Sequence, residues 1–147
     1  MIPKFRAWDN VEKKFVEHFF ITDNVLICNM EKPTSDYGIP IPFEKSELTL
    51  MQSTGLKDKN GQEIFEGDIL EIQGIRMVVK FGNYEYIESS KSNGHTIGVV
   101  YDGLGFYVEC INAADPDRIS PFEPKTLKES AVIGNEFENP ELLEVKE

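Results

Sequence analysis

At 147 residues the chain is long enough for one domain, or two small lobes, with a real core, because a chain of this size buries about 70% of its unfolded surface. Its 26 acidic residues against 15 basic ones leave a net charge of −11, which removes counterion release as a driving force and disfavours a nucleic-acid backbone as partner. No apolar run approaches the roughly 20 residues a bilayer span needs, and Met1-Ile2-Pro3-Lys4 begins no signal peptide, so no membrane is expected and the expected setting is cytoplasmic.

Taken in order, residues 2–7 alternate well enough for a first strand, Trp8-Asp9-Asn10 supplies a turn, and residues 14–16 begin a return strand. Trp8, the lone tryptophan, is expected as a packing anchor. Residues 19–30 read as strand material folded about Asp23-Asn24. Residues 31–42 hold Pro33, Gly38, Pro40 and Pro42 and read as a loop, the best candidate for a functional arm. Residues 44–51 fit a short amphipathic helix or a strand, the strand being favoured by Leu48, Thr49 and Leu50.

The stretch from Thr54 to Ile72 is the densest turn-and-strand signal in the chain. Asn60-Gly61 predicts a type I′ hairpin turn, since both residues tolerate positive φ. Ile64 and Phe65 follow, then Glu66-Gly67-Asp68 as a second turn, then Ile69, Leu70 and Ile72 as a strand with Glu71 on its wet face. Residues 76–84 form a clear strand, flanked by Gly74 and Gly82-Asn83 as turns. Residues 85–94 carry Ser89, Ser90, Ser92, Asn93 and Gly94 and read as a second exposed loop. Residues 96–100 and 106–111 are expected as strands around an Asp102-Gly103 turn. Asp115-Pro116-Asp117 turns, residues 120–124 are irregular, and residues 126–132 form a helical turn or an edge strand. Pro140 opens a helical turn, and the acidic tail 144–147 is expected to fray.

Each candidate chemistry has a plainer reading beside it. Asp58-Lys59-Asn60 begins like a calcium loop, but Gly61 comes too early and Ile69 stands where the closing Glu belongs. Gly55, Gly61 and Gly67 match no phosphate-loop spacing. Cys28 and Cys110 are expected as buried free thiols; with His18 and His95 they form no pair of zinc-ligand spacing. Asp9, Asp58, Glu66 and Asp68 are the least poor carboxylates for a Mg²⁺ nuclease, against the simpler role of turn caps. Tyr84, Tyr86, Tyr101, Phe106 and Tyr107 would suit a base-stacking platform, but without a basic groove cross-strand packing is the better reading.

Three blocks carry a family resemblance: Phe5-Arg6-Ala7-Trp8-Asp9 at the start, residues 50–61 with 64–69 in the middle, and residues 132–143 at the end. Together they resemble the YopX family of small proteins from phages and prophages of bacteria. The resemblance implies a mainly β fold with a small-barrel portion. The run Gly67-Asp68-Ile69-Leu70-Glu71-Ile72, then Gly74, then Val78-Val79-Lys80-Phe81, looks like an SH3-like small β-barrel, so a β-rich α+β arrangement with N-terminal strands and short helical turns is expected. The family resemblance implies no established activity and hands over no catalytic, metal or cofactor residue.

The expected organisation is one YopX-like domain, with residues 1–53 as an N-terminal strand-and-loop lobe and 54–147 as a small-barrel lobe. Residues 55–111 form the barrel and 131–143 close it. The expected function is a non-enzymatic phage accessory protein acting by protein–protein contact, as a homo-oligomer, with no cofactor. A metal-dependent nuclease using clustered carboxylates and an acidic DNA mimic that binds a basic host protein are the alternatives.

Overall fold

A computed structural model describes residues 4–31, 39–111 and 119–144. The chain is mainly β with a few short helices. It divides into two compact units, Met1–Ser53 and Thr54–Glu147.

In the first unit β1 (Phe5–Asp9) pairs antiparallel with β2 (Lys14–Val16), Ala7 opposite Val16. The turn between them starts later than the sequence suggests. Trp8 and Asp9 stay in the strand because Trp8 is buried and sits edge to face on Phe15, centroids 5.0 Å apart. Asp9 then accepts the N–H groups of Val11 and Glu12 at 2.9 and 3.0 Å, and Lys13 takes φ 56°. β3 (Phe19–Ile21) and β4 (Ile27–Asn29) form the expected hairpin about Asp23-Asn24, closed by the Thr22 hydroxyl oxygen accepting the Leu26 N–H at 2.9 Å. Most of the proline-rich loop lies outside the described residues; Ile41, at its end, bridges to Ile27.

The helix-or-strand ambiguity over 44–51 resolves into both. One turn of helix, α1 (Phe43–Ser46), stops at Glu47 in the left-handed region, and β5 (Leu48–Lys57) follows. Leu48 to Gln52 of β5 pair with β1. Ala7, Val16, Ile27 and Leu48 form this unit's core.

In the second unit the end of β5 borders β6 (Glu63–Phe65). The Asn60-Gly61 turn is not type I′, since only Gly61 has positive φ, 81°. Asp58 is the reason. Its Oδ1 accepts the N–H groups of Asn60 and Gln62 at 2.9 and 2.8 Å, and Gly61 N–H bonds the Asp58 carbonyl at 3.1 Å. The side chain dictates a wider loop than the two-residue turn. Its Oδ2 accepts the Val132 N–H at 2.9 Å.

A five-stranded antiparallel sheet follows, curled as a half-barrel, in the order β10-β9-β8-β7-β11. Its members are β7 (Asp68–Ile72), β8 (Ile75–Ser92), β9 (His95–Cys110), β10 (Ile119–Pro121) and β11 (Ala131–Asn135). The Glu66-Gly67-Asp68 turn is where the sequence puts it, with Gly67 at φ 87° and Asp68 Oδ2 accepting the Phe65 N–H at 2.8 Å. Residues 120–121, expected as irregular, extend the sheet against Val108 and Tyr107. Residues 126–132 supply both a helix, α2 (Pro124–Lys128), and the start of β11. A 3₁₀ turn, Pro140–Leu143, opens at Pro140 as predicted. Ile64, Leu70, Met77, Val79, Val108 and Leu127 make the core.

Two expected turns and most of an expected loop are strand instead. Gly82-Asn83 and Asp102-Gly103 lie inside strands, and residues 85–92 of the expected loop 85–94 are the far half of β8. The type I′ signature sits at the two-residue connections Gln73-Gly74 and Asn93-Gly94, each with both residues at positive φ.

Asp58 yields a stability prediction. Burial opposes its ionisation, but the N–H donors of Val132, Gln62 and Asn60, with Lys59 alongside, outweigh burial and hold the carboxyl below its ordinary value. A carboxylate lowered on folding stabilises the fold above its unfolded value and loses that contribution as the pH falls through the folded value. Asp58→Ala should therefore lose about 3 kcal/mol at neutral pH, read by urea unfolding, with the deficit shrinking in strong acid. An equal deficit at pH 2 and pH 7 contradicts the ionic origin.

Candidate functional site: the β8–β9 arm

The sheet proper ends early along its two longest strands. β7 pairs with β8 only from Ile75 to Val78, and β10 meets β9 only at residues 107–109. Beyond that β8 and β9 continue as a two-stranded ribbon through residues 83–104, in unbroken register from Met77 opposite Cys110 to Ser92 opposite His95. At its base Gly82 faces Gly105, at φ 150° and 140°, with open space where their Cβ atoms would be. That backbone region is open mainly to glycine, and the pair stands where β8 and β9 pass from the sheet into the ribbon.

Directly opposed residues share a face. One face continues the core side: Met77, Val79 and Phe81 with Cys110, Val108 and Phe106, then Asn83 with Leu104, Glu85 with Asp102, Ile87 with Val100, Ser89 with Gly98, and Lys91 with Thr96. Past the Phe81–Phe106 contact, centroids 4.9 Å apart, this face leaves the core. Leu104 is 76% exposed, Val100 61% and Ile87 41%.

The other face is a tyrosine stack. Tyr107 lies on Tyr84 with centroids 4.9 Å apart, Tyr84 on Tyr86 at 6.0 Å, and Tyr86 on Tyr101 at 5.3 Å, all nearly parallel. Gly103 makes the stack possible, because a Cβ there would run into the Tyr84 ring. Partial burial in the stack, then Glu88 and the neighbouring tyrosines, push the Tyr86 phenol above its ordinary value. Of the five aromatics expected to pack across strands, Phe106 alone falls on the core face, against Phe81 and Phe122.

The remaining sequence candidates separate. Asp9, Asp58 and Asp68 are buried turn caps. Lys80 pairs with Glu109 at 3.2 Å, and Glu136 lies close enough to Lys80, Glu66 and Glu109 to interact with each. His18 and His95 are exposed, Cys28 is buried and Cys110 half-buried, and neither cysteine is in a disulfide. Among the described residues no three His, Cys, Asp or Glu side chains are grouped to hold a metal ion. None of the described helices is long and apolar enough to cross a membrane.

Sequence reasoning missed the arm because the serines at 89, 90 and 92 read as a loop, and Gly82-Asn83 and Asp102-Gly103 as turns. The signal that could have found it is Asn93-Gly94 flanked by period-2 tyrosines and valines.

The family model for YopX protein matches residues 4–144, so the chain belongs to the YopX family. Among solved structures it is similar to protein EF1440 from Enterococcus faecalis, at 29% identity and a TM-score of 0.50, over 98% of this chain and 99% of that one. Protein yopX from Bacillus subtilis matches at 16% identity and a TM-score of 0.42, over 97% of each chain. A search of the curated proteins finds no match.

Two predictions follow from the packing. Gly103→Val should unstack Tyr84, destabilise the chain by about 1–3 kcal/mol and reduce the near-ultraviolet circular dichroism of the tyrosines; an unchanged spectrum contradicts the stack. Burial raises the Glu136 carboxyl against the opposing pull of Lys80, with Glu66 and Glu109 adding to the rise. A carboxyl raised on folding weakens the fold as the pH rises from the unfolded toward the folded value. Glu136→Gln should therefore raise the Tm at pH 7 and leave it unchanged at pH 3.

Proposed function

We propose that the protein is a non-enzymatic interaction module of a phage or prophage, working in the bacterial cytoplasm through its β8–β9 arm, with self-association as the contact it makes. The arm carries the reading. An isolated two-stranded ribbon is marginally stable in water, and this one exposes Ile87, Val100 and Leu104 on one face instead of hiding them. Apolar side chains clustered on a projecting element, next to unpaired strand edges, are what a contact surface needs. The phage setting is taken from what the resemblance implies. The capping roles of Asp9, Asp58 and Asp68 support a binding rather than a nuclease reading of the carboxylates.

The test is the double variant Ile87→Asp/Val100→Asp, compared with the parent chain by light scattering and by capture of partners from bacterial lysate. The expected result is loss of association with the thermal melt retained. Association equal to the parent's overturns the arm as the contact element.

A further inference from the structure

The core-side face of the arm is complementary to itself, and we propose that two copies of this chain bind arm to arm, antiparallel and face to face, about a two-fold axis. This rests on the reading of the arm as the contact element and adds its partner and register.

Three features of that face carry the inference. Glu85 and Asp102 stand directly opposite each other and are both exposed. Like charges in that position repel, and among the described residues no cation pairs with either. Six residues toward the tip, about 20 Å away on the same face, stands Lys91, exposed and opposite Thr96. Between the charges stand the large side chains of Ile87 and Val100, and the next level holds the small residues Ser89 and Gly98, with Ile87 Cγ2 3.5 Å from where a Gly98 Cβ would be.

Turning a second copy about an axis that crosses the ribbon between residues 87 and 89 reverses this order. The axis keeps β8 over β8 and β9 over β9. Lys91 of each copy then faces the other's Glu85 and Asp102, which relieves the repulsion within that pair. Ile87 meets Ser89, and Val100 meets Gly98, which has no side chain to oppose it. Leu104 comes under the Asn93-Gly94 turn. Each contact occurs twice, as an isologous interface requires. A shift by two residues in either direction sets the large side chains on one another or moves Lys91 off the carboxylates, so charge and side-chain size select the same register. The opposite face also exposes Val99 and Ile97, but it offers no such charge match, because over residues 83–104 it carries Glu88 and no lysine or arginine.

The experiment is a charge swap read by sedimentation velocity. The parent chain, Lys91→Glu, the double variant Glu85→Lys/Asp102→Lys, and an equimolar mixture of the two variants are run at matched concentrations. The parent is expected to dimerise. Each variant alone places like charges together at both ends of the interface and should associate at least about tenfold more weakly. The mixture should recover a dimer holding one copy of each, because both ends are then paired with opposite charge. Variants that associate like the parent, or a mixture that stays monomeric, overturn the register. A parent chain that is monomeric throughout overturns the pairing itself. The Ile87→Asp/Val100→Asp variant separates these outcomes from failure of the arm reading: its effect on association or capture does not depend on Lys91, Glu85 or Asp102.

Discussion

The carboxylate of Asp58 holds the second unit closed. Through Asn60 and Gln62 it shapes the loop that joins β5 to β6, and through Val132, 74 residues further on, it fixes β11 against the same loop. Lys59 N–H bonds the Ser130 carbonyl at 3.0 Å and reinforces the junction. β11 in turn covers the outer edge of β7, so the order of the whole five-stranded sheet depends on that strand being in place. A buried charge is tolerated there because the backbone N–H groups around it replace its water.

From that closed sheet the arm takes its direction. Residues shared between sheet and arm obey two different demands within one strand. Near the base, Met77, Val79 and Val108 are chosen for burial. Past the glycine pair, the alternation persists but its apolar members face outward, and the tyrosine stack supplies the ribbon's internal cohesion on the opposite side. Stacked aromatic pairs stabilise by about 0.5–1.5 kcal/mol beyond their buried area, which helps a ribbon with no flanking strand.

Much of this was legible in the sequence. The mainly β class, the two early hairpins, the Gly67-Asp68 turn and the Pro140 turn all followed from local chemistry that tertiary contacts left alone. So did the capping roles of Asp9 and Asp68, whose short side chains act within two or three residues of their own position. The Asn60-Gly61 turn type was misread because the Asp58 side chain, which accepts the N–H groups of Asn60 and Gln62 as well as that of the distant Val132, sets a wider loop than the dipeptide alone suggests. The arm was misread because serine and glycine are loop formers on average, while here their strand neighbours set the backbone. Gly103 is in the strand for the sake of a ring on the opposite strand, which no local rule reveals. Lys91, Glu85 and Asp102 matter only once register puts them on one face.

The arm also bears on the order in which the chain folds. The Asn93-Gly94 turn closes the shortest possible loop, and each further pair of the ribbon adds only two residues to the separation already bridged. Such a hairpin zips from its tip on a timescale of about 1–10 µs. β11 must instead find β7 across some sixty residues, since Ala131 pairs with Glu71, and contacts that distant form late. During that interval the outer edge of β7 stands uncovered, with Ile69, Leu70 and Ile72 in a row along it. The chain is most open to misassociation through that edge while it is being made, before Asp58 has a Val132 to hold.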